Sequence, residues 1–257
     1  MLQGSSELSH PLKNTMHRLV AIDYSPWSEK ARWALDARRV PYREEAYVPM
    51  IGEPWLRLRL RRFTGKVTAP VLFASDGRAF ADSFTIARFA EETGRGAALF
   101  PAGRDDEIAR WNEQSEAILQ AGRAISVWKA MDDAEARDEG VPGFLPSPLR
   151  PLVGRLGVRF LRDKYRLDRD QEASTGAASA GLSALRDALG GRRHLIGEQL
   201  SCADIVMAVS LQLLAPVADT FIRLGPATRR VCTHLPIVEG FADLVAWRDE
   251  IYAAHRR

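Results

Sequence analysis

Cysteine is nearly absent from this chain: Cys202 and Cys232 are the two among 257 residues. Two thiols cannot build a framework of crosslinks, so a reducing compartment and a cytoplasmic location are expected. Long apolar runs are missing as well. No stretch approaches the roughly 20 residues that span a bilayer, and no membrane partner is expected. Nor is there much charge of one sign, since 36 Lys and Arg face 33 Asp and Glu, a formal excess of +3. Charges so mixed read as a solvated surface rather than a nucleic-acid footprint, and no nucleic acid is expected. His10, His17, His194, His234 and His255 are scattered without a partner at metal-ligand spacing, so no metal is expected. A glycine-rich phosphate loop, internal repeats and low-complexity segments are also lacking. What is there is ordinary globular composition, 46% hydrophobic and 27% charged, on a chain long enough for two domains and a sizeable core.

The texture changes once along the chain. Residues 1–16 are polar, lack the apolar centre of a signal peptide, and read as a flexible tail, with Met16 a second candidate start. From 17 to 100, short apolar runs alternate with helical patterns. Residues 18–24 have strand character. Ser25 and Pro26 then open a helix, one as cap and the other at the first helical position. Trp27, Ala31, Ala34 and Leu35 follow at helical spacing. A second strand is expected over 44–48, which makes a βαβ unit. Residues 55–63 fit either period and lean to helix, between Pro54 and Gly65. Residues 71–74 and 78–81 flank Asp76-Gly77 as a β-hairpin, and Asp82-Ser83 caps a helix to about Thr93.

Pro101-Ala102-Gly103 is linker chemistry, and 104–257 reads almost entirely as helix. A long helix is expected over 105–131, its first turn acidic in keeping with the helix dipole. The Pro- and Gly-rich stretch 140–154 interrupts; helical patterns resume at 158–165 and 171–189. Ser201 and Asp204 form a capping box, with Leu200 and Ile205 as its hydrophobic staple. The apolar run 205–217 is expected to be a core helix, and Cys202 to be buried and inert.

Four of these features occur in an order that resembles the cytosolic glutathione transferase superfamily. They are Ser25-Pro26-Trp27-Ser28 with Arg32, Ala34 and Leu35; Thr68-Ala69-Pro70-Val71-Leu72; Asp82-Ser83; and Gly197 ahead of the Ser201-to-Asp204 box. The first is similar to the serine-type, tau/zeta-like turn, though no class follows. The resemblance implies an α/β thioredoxin-like domain over 17–100 and an all-α C-terminal domain over 104–257, in a homodimer that conjugates glutathione, as co-substrate, to a hydrophobic electrophile. It further implies a cis Ala69–Pro70 bond, with the Ala69 backbone pairing to the cysteinyl unit. Asp82 and Ser83 would hold the γ-glutamyl end, and one of Arg57, Arg59, Arg61, Arg62 or Lys66 the glycyl carboxylate. Two other functions fit the same fold: a non-catalytic binding or scaffold protein, and a glutathione-dependent isomerase or dehalogenase.

The chemistry asked of Ser25 is modest. A free thiol has a pKa of about 8.5. Lowering it by about two units takes roughly 2.7 kcal/mol of preference for the thiolate. A hydroxyl donor at a helix N-terminus supplies an amount of that order. Plain helix capping is the competing role for Ser25, and equally for Asp82 and Ser83. Ser25 and Ser28 occupy the two cysteine positions of a glutaredoxin-like CxxC turn; with serine at both, mixed-disulfide exchange is not expected. Tyr24 and, on the long helix, Trp111 and Trp128 are expected to pack in the core, the two tryptophans having a groove-lining role as the alternative.

Overall fold

The computed structural model describes residues 16–167 and 169–256; of the tail expected over 1–16, all but Met16 lies outside them. The sheet side consists of β1 (His17–Ala21), α1 (Pro26–Ala37), β2 (Tyr42–Ala46), α2 (Glu53–Leu60), β3 (Val71–Phe73), β4 (Ala79–Phe80) and α3 (Ser83–Thr93). The four strands lie in the order β2-β1-β3-β4. β1 and β2 run parallel, while β3 is antiparallel to both β1 and β4. Side chains alternate across a strand, and the apolar residues follow that period. Leu19 and Ala21 of β1 and Leu72 of β3 point into the core shared with α1 and α3. Val20 and Val71 point the other way, against Leu56 of α2. The helix expected over 55–63 is therefore α2, buried through Leu56.

The pairing register gathers the motifs. Val20 lies opposite Val71, and Leu72 opposite Phe80. The chain leaving β1, the chain entering β3 and the chain leaving β4 thus meet at one end of the sheet. Residues 22–25, 68–70 and 81–83 are distant in sequence but share that edge.

The helical side follows: α4 (Asp105–Asp132), α5 (Ala134–Glu139), α6 (Arg150–Tyr165), α7 (Gln171–Leu189), α8 (Cys202–Ser210), α9 (Pro226–Cys232), α10 (Leu235–Gly240) and α11 (Ala242–His255). Short 3₁₀ turns cover Ser147–Leu149 and Leu211–Leu213. Every residue of α8 is buried. Its capping box is complete: the Ser201 hydroxyl accepts from the Asp204 amide, and Asp204 accepts from the Ser201 amide at 2.8 Å. The same carboxylate accepts from the Leu195 amide at 2.7 Å, tying the preceding loop to the helix. Cys202 is 1% exposed, and burial pushes its thiol up to about 12, so it is inert at neutral pH. One apolar core runs from Leu19 and Ile86 through Ile118 and Val209 to Trp247 and Ile251. Trp33 of α1 packs against Tyr252 of α11, with ring centroids 4.5 Å apart and the ring planes tilted by 58°.

Three expectations need correction. The first strand stops at Ala21, before the turn that leads into α1. The core helix expected over 205–217 ends at Ser210 and tightens into a 3₁₀ turn. The interruption is also shorter than 140–154, because α6 starts at Arg150. Pro151 falls in its first turn, where a missing N–H leaves nothing unpaired. Gly154 lies inside α6 and is buried; a Cβ there would sit 2.8 Å from the Arg137 carbonyl oxygen of α5. Alanine gains about 0.8–1 kcal/mol of helix propensity over glycine. A backbone oxygen cannot step aside as a side chain can, and such overpacking costs about 1–3 kcal/mol. We expect Gly154→Ala to lower the melting temperature; an unchanged or raised Tm would mean that α5 and α6 separate freely.

Candidate active site

The turn from β1 into α1 is fastened from below. Arg32 forks onto Glu44, with Nη2 to Oε1 at 2.7 Å and Nε to Oε2 at 2.8 Å. Its remaining donors hold the carbonyls of Ile22 at 3.0 Å and Asp23 at 3.2 Å. Ser28 is fully buried, and its Oγ accepts from the Ile22 amide at 3.0 Å. This serine belongs to the scaffold of the turn.

Ser25 differs. It is the N-cap of α1, and its carbonyl accepts the first helical hydrogen bond from Glu29 at 2.9 Å. Its hydroxyl makes no cap bond. Asp82, Asp133, Asp170 and Ser201 all close their helices with a side-chain acceptor. Pro26 has no N–H, so the Trp27 and Ser28 amides keep the unpaired donors of the first turn. Ser25 Oγ therefore faces a helix N-terminus without being committed to it.

That hydroxyl lies on the wall of a cleft of about 430 Å³ between the sheet side and the helices. Tyr24, Trp27, Tyr47 and Ala69 line one side; Arg123, Phe160, Tyr165, Leu224 and Cys232 line the other. The lining is mostly apolar, as expected of a pocket for a small organic molecule. Trp27 is held in place by its indole N–H, which donates to Glu116 Oε2 of α4 at 2.7 Å. Glu116 Oε1 receives Lys30 Nζ at 2.7 Å, and Lys30 also donates to Ser115 Oγ at 2.6 Å. Burial pulls the Lys30 ammonium below its ordinary value, against the opposing pull of Glu116.

The other expected residues fall as follows. The Ala69–Pro70 bond is cis, with Thr68 and Ala69 on the cleft and Pro70 buried behind them. Asp82 and Ser83 stand at the shared sheet edge but not on the cleft wall. Asp82 is exposed and accepts from the Thr85 amide at 2.8 Å and its hydroxyl at 2.7 Å. Ser83, 5% exposed, opens α3.

Within the basic run, Arg57 is taken by Glu53 and the Gly65 carbonyl. Arg59 lies over the Trp55 and Phe73 rings and pairs with Glu45. None of the run lines the cleft. A cation that does line the cleft comes from α6: Lys164 binds Glu53 at 2.7 Å and the Val67 carbonyl at 2.9 Å.

Tyr24 is not core. With β1 ending early, its ring projects from the turn, 47% exposed, onto the cleft. Trp111 packs against the core, and Trp128 takes the Arg169 guanidinium over its ring; neither lines the cleft, and Trp27 does. Sequence reasoning missed Arg123, Tyr47, Tyr165 and Phe160. Trp27 was within reach, sitting inside the quoted motif. His194 and His255, distant in sequence, meet with ring centroids 5.4 Å apart. Among the described residues no group of three His, Cys, Asp or Glu is placed to hold a metal ion, and no helix is long and apolar enough to cross a membrane.

A small mixed sheet with helices on both faces, followed by a helical domain, is the thioredoxin-like plus all-α arrangement. Residues 24–93 match the family model described as glutathione S-transferase, N-terminal domain. Solved structures agree over nearly the whole chain. Glutathione transferase GSTFuA2 from Phanerochaete chrysosporium superposes with a TM-score of 0.64 at 17% identity, over 94% of this chain and 98% of that one. A glutathione S-transferase from Methylobacillus flagellatus, solved with glutathione bound, gives 0.57 at 18% identity over 94% and 95%. One from Methylobacterium radiotolerans, in complex with glutathione sulfonate, gives 0.57 at 17% over 93% and 91%. No curated protein matches the sequence. Residues 24–93 thus match the N-terminal domain of that family, and nearly the whole chain shares the fold of these structures.

Proposed function

We propose that this protein is a glutathione transferase in which the Ser25 hydroxyl stabilises the glutathione thiolate for attack on an apolar electrophile. One observation carries the reading: Ser25 is an N-cap whose hydroxyl is uncommitted and lines the cleft, above free first-turn amides. A thiolate there receives the hydroxyl hydrogen and the positive end of α1 together. Ala69, beside the cis Pro70, offers its backbone to the cysteinyl unit. Asp82 and Ser83 hold the γ-glutamyl end from the N-terminus of α3, Asp82 attracting the ammonium. The conjugate forms when the sulfur attacks the electrophile in the cleft, and the thiol proton has by then passed to solvent. A cytoplasmic homodimer completes the proposal.

The test is direct. Calorimetry is expected to give saturable glutathione binding, and an aromatic chloride with activating nitro groups is expected to release chloride in a glutathione-dependent reaction. Absence of both binding and turnover would leave a scaffold role on the same fold. Binding with turnover confined to maleyl or haloacid substrates would favour the isomerase or dehalogenase chemistry.

A further inference from the structure

The helical wall of the cleft carries a cation that its surroundings do not neutralise. The Arg123 guanidinium is held between two rings, with Cζ 3.9 Å from the Trp27 ring centroid and 3.7 Å from that of Tyr165. Stacking on rings occupies the faces of a guanidinium and leaves its N–H donors in the plane between them. One of these donors reaches Gln120 Oε1 at 3.2 Å. Among the described residues no carboxylate pairs with Arg123. Glu116, two helical turns away, is spent on Trp27 and Lys30. Burial pulls the guanidinium below its ordinary value, yet arginine remains charged at any working pH.

The neighbouring groups lean the same way. Glu139 is the one acidic residue among those lining the cleft, and the Ala227 and Thr228 amides at the start of α9 already occupy it, at 3.0 and 2.7 Å. Arg223 and Lys164 add positive charge to the wall, Lys164 being paired to Glu53. Two lining residues hold buried polar atoms without a partner, the Tyr47 hydroxyl and Gln212 Nε2. Gln212 Nε2 can only donate. Unpaired donors in a mostly apolar cleft select a ligand that brings acceptors with it.

We infer that the electrophile taken by this cleft is an anionic one, an apolar or aromatic body bearing a carboxylate that the in-plane donors of Arg123 receive. This rests on the transferase reading and specifies its second substrate. A carboxylate matches the guanidinium fork as a bidentate acceptor, and the apolar walls take the remainder. With 4-chloro-3-nitrobenzoate as probe the chemistry balances. The glutathione sulfur attacks the ring carbon bearing chlorine, the S–C bond forms, the C–Cl bond breaks, and chloride leaves with the bonding pair. The ring carboxylate stays on Arg123 throughout.

The experiment compares this acid with its methyl ester, first for binding without glutathione by quenching of tryptophan fluorescence, then for turnover. The wild type is expected to bind the acid about tenfold more tightly than the ester, a charge-assisted contact against an uncharged one. Arg123→Met keeps an unbranched stem between the two rings and removes the fork. It is expected to bind acid and ester alike, with glutathione affinity unchanged. Equal affinity of the wild type for acid and ester would overturn the inference, and that comparison needs no variant to fold. So would an Arg123→Met protein that keeps the preference, or one whose glutathione affinity falls by the same factor, since the guanidinium would then serve glutathione. A wild type that prefers the acid yet binds no glutathione would instead end the transferase reading and leave the anion site standing.

Discussion

Ser25→Ala is expected to lower kcat/KM for conjugation about ten- to hundredfold, because a hydrogen bond to a charged group is worth about 1.5–3 kcal/mol. On the proposed reading the loss falls mainly on kcat, because the tripeptide would be held by other groups and the hydroxyl would act on the sulfur. Thiolate absorbance of bound glutathione, followed against pH, is expected to shift its titration upward by about one to two units. The same variant distinguishes catalysis from capping. Removing a working N-cap costs about 0.5–2 kcal/mol of stability. Ser25 makes no cap bond, so Ser25→Ala is expected to melt close to the wild type. Full turnover in the variant would remove Ser25 from the mechanism and leave the Tyr24 hydroxyl as the rival on the same wall. A fall in melting temperature with normal turnover would return Ser25 to plain capping.

Asp204→Ala is expected to have the largest effect on stability. The carboxylate is fully buried and accepts from the Leu195 amide, the Ser201 amide and the Ser201 hydroxyl at 2.7, 2.8 and 2.7 Å. Burial pushes its pKa above the ordinary carboxylate range, while these donors and His194 pull it back down. Alanine leaves two backbone amides buried without acceptors, each costing about 1–3 kcal/mol. The total is expected near 3–4 kcal/mol, measured as the change in unfolding free energy in urea. Asp204→Asn keeps one acceptor oxygen and is expected to lose less. A loss under about 1 kcal/mol for alanine would mean that water reaches the box and that α8 is less enclosed than its burial indicates.

How legible the molecule was in its sequence depends on how local each signal is. Helix α7 runs over the residues that the 3.6 period gave, 171–189, and the Ser201-to-Asp204 box forms as its spacing implied. Both are decided within a few turns of chain. Residues 140–154 misled for a physical reason: Pro151 in a first turn and Gly154 against the Arg137 carbonyl are compatible with helix, although each residue type usually breaks one. Tyr24 misled because a strand period was carried past the point where the strand ends. On the sheet side, Ser25 and Ala69 were readable as short motifs at strand ends, and the register brings both to the cleft. Its helical wall was not readable. Arg123, Tyr165, Gln212 and Cys232 come from separate elements, and nothing in 36 scattered basic residues marks Arg123 as the one placed between two rings.

The single core that passes from β1 and α3 into α8 and α11 has a bearing on how such a protein tolerates change. Two modules joined by a linker can wear out separately, so that a lesion in one spares the other. Here Trp33 and Tyr252 seal the halves together, and the Trp27–Glu116–Lys30 latch stitches the cleft shut along its flank. A lesion deep in α8 therefore reaches the serine turn without touching it. The rim, where α6, residues 223–225 and α9 line the cleft on the helical side, is where a substitution changes the cleft most directly.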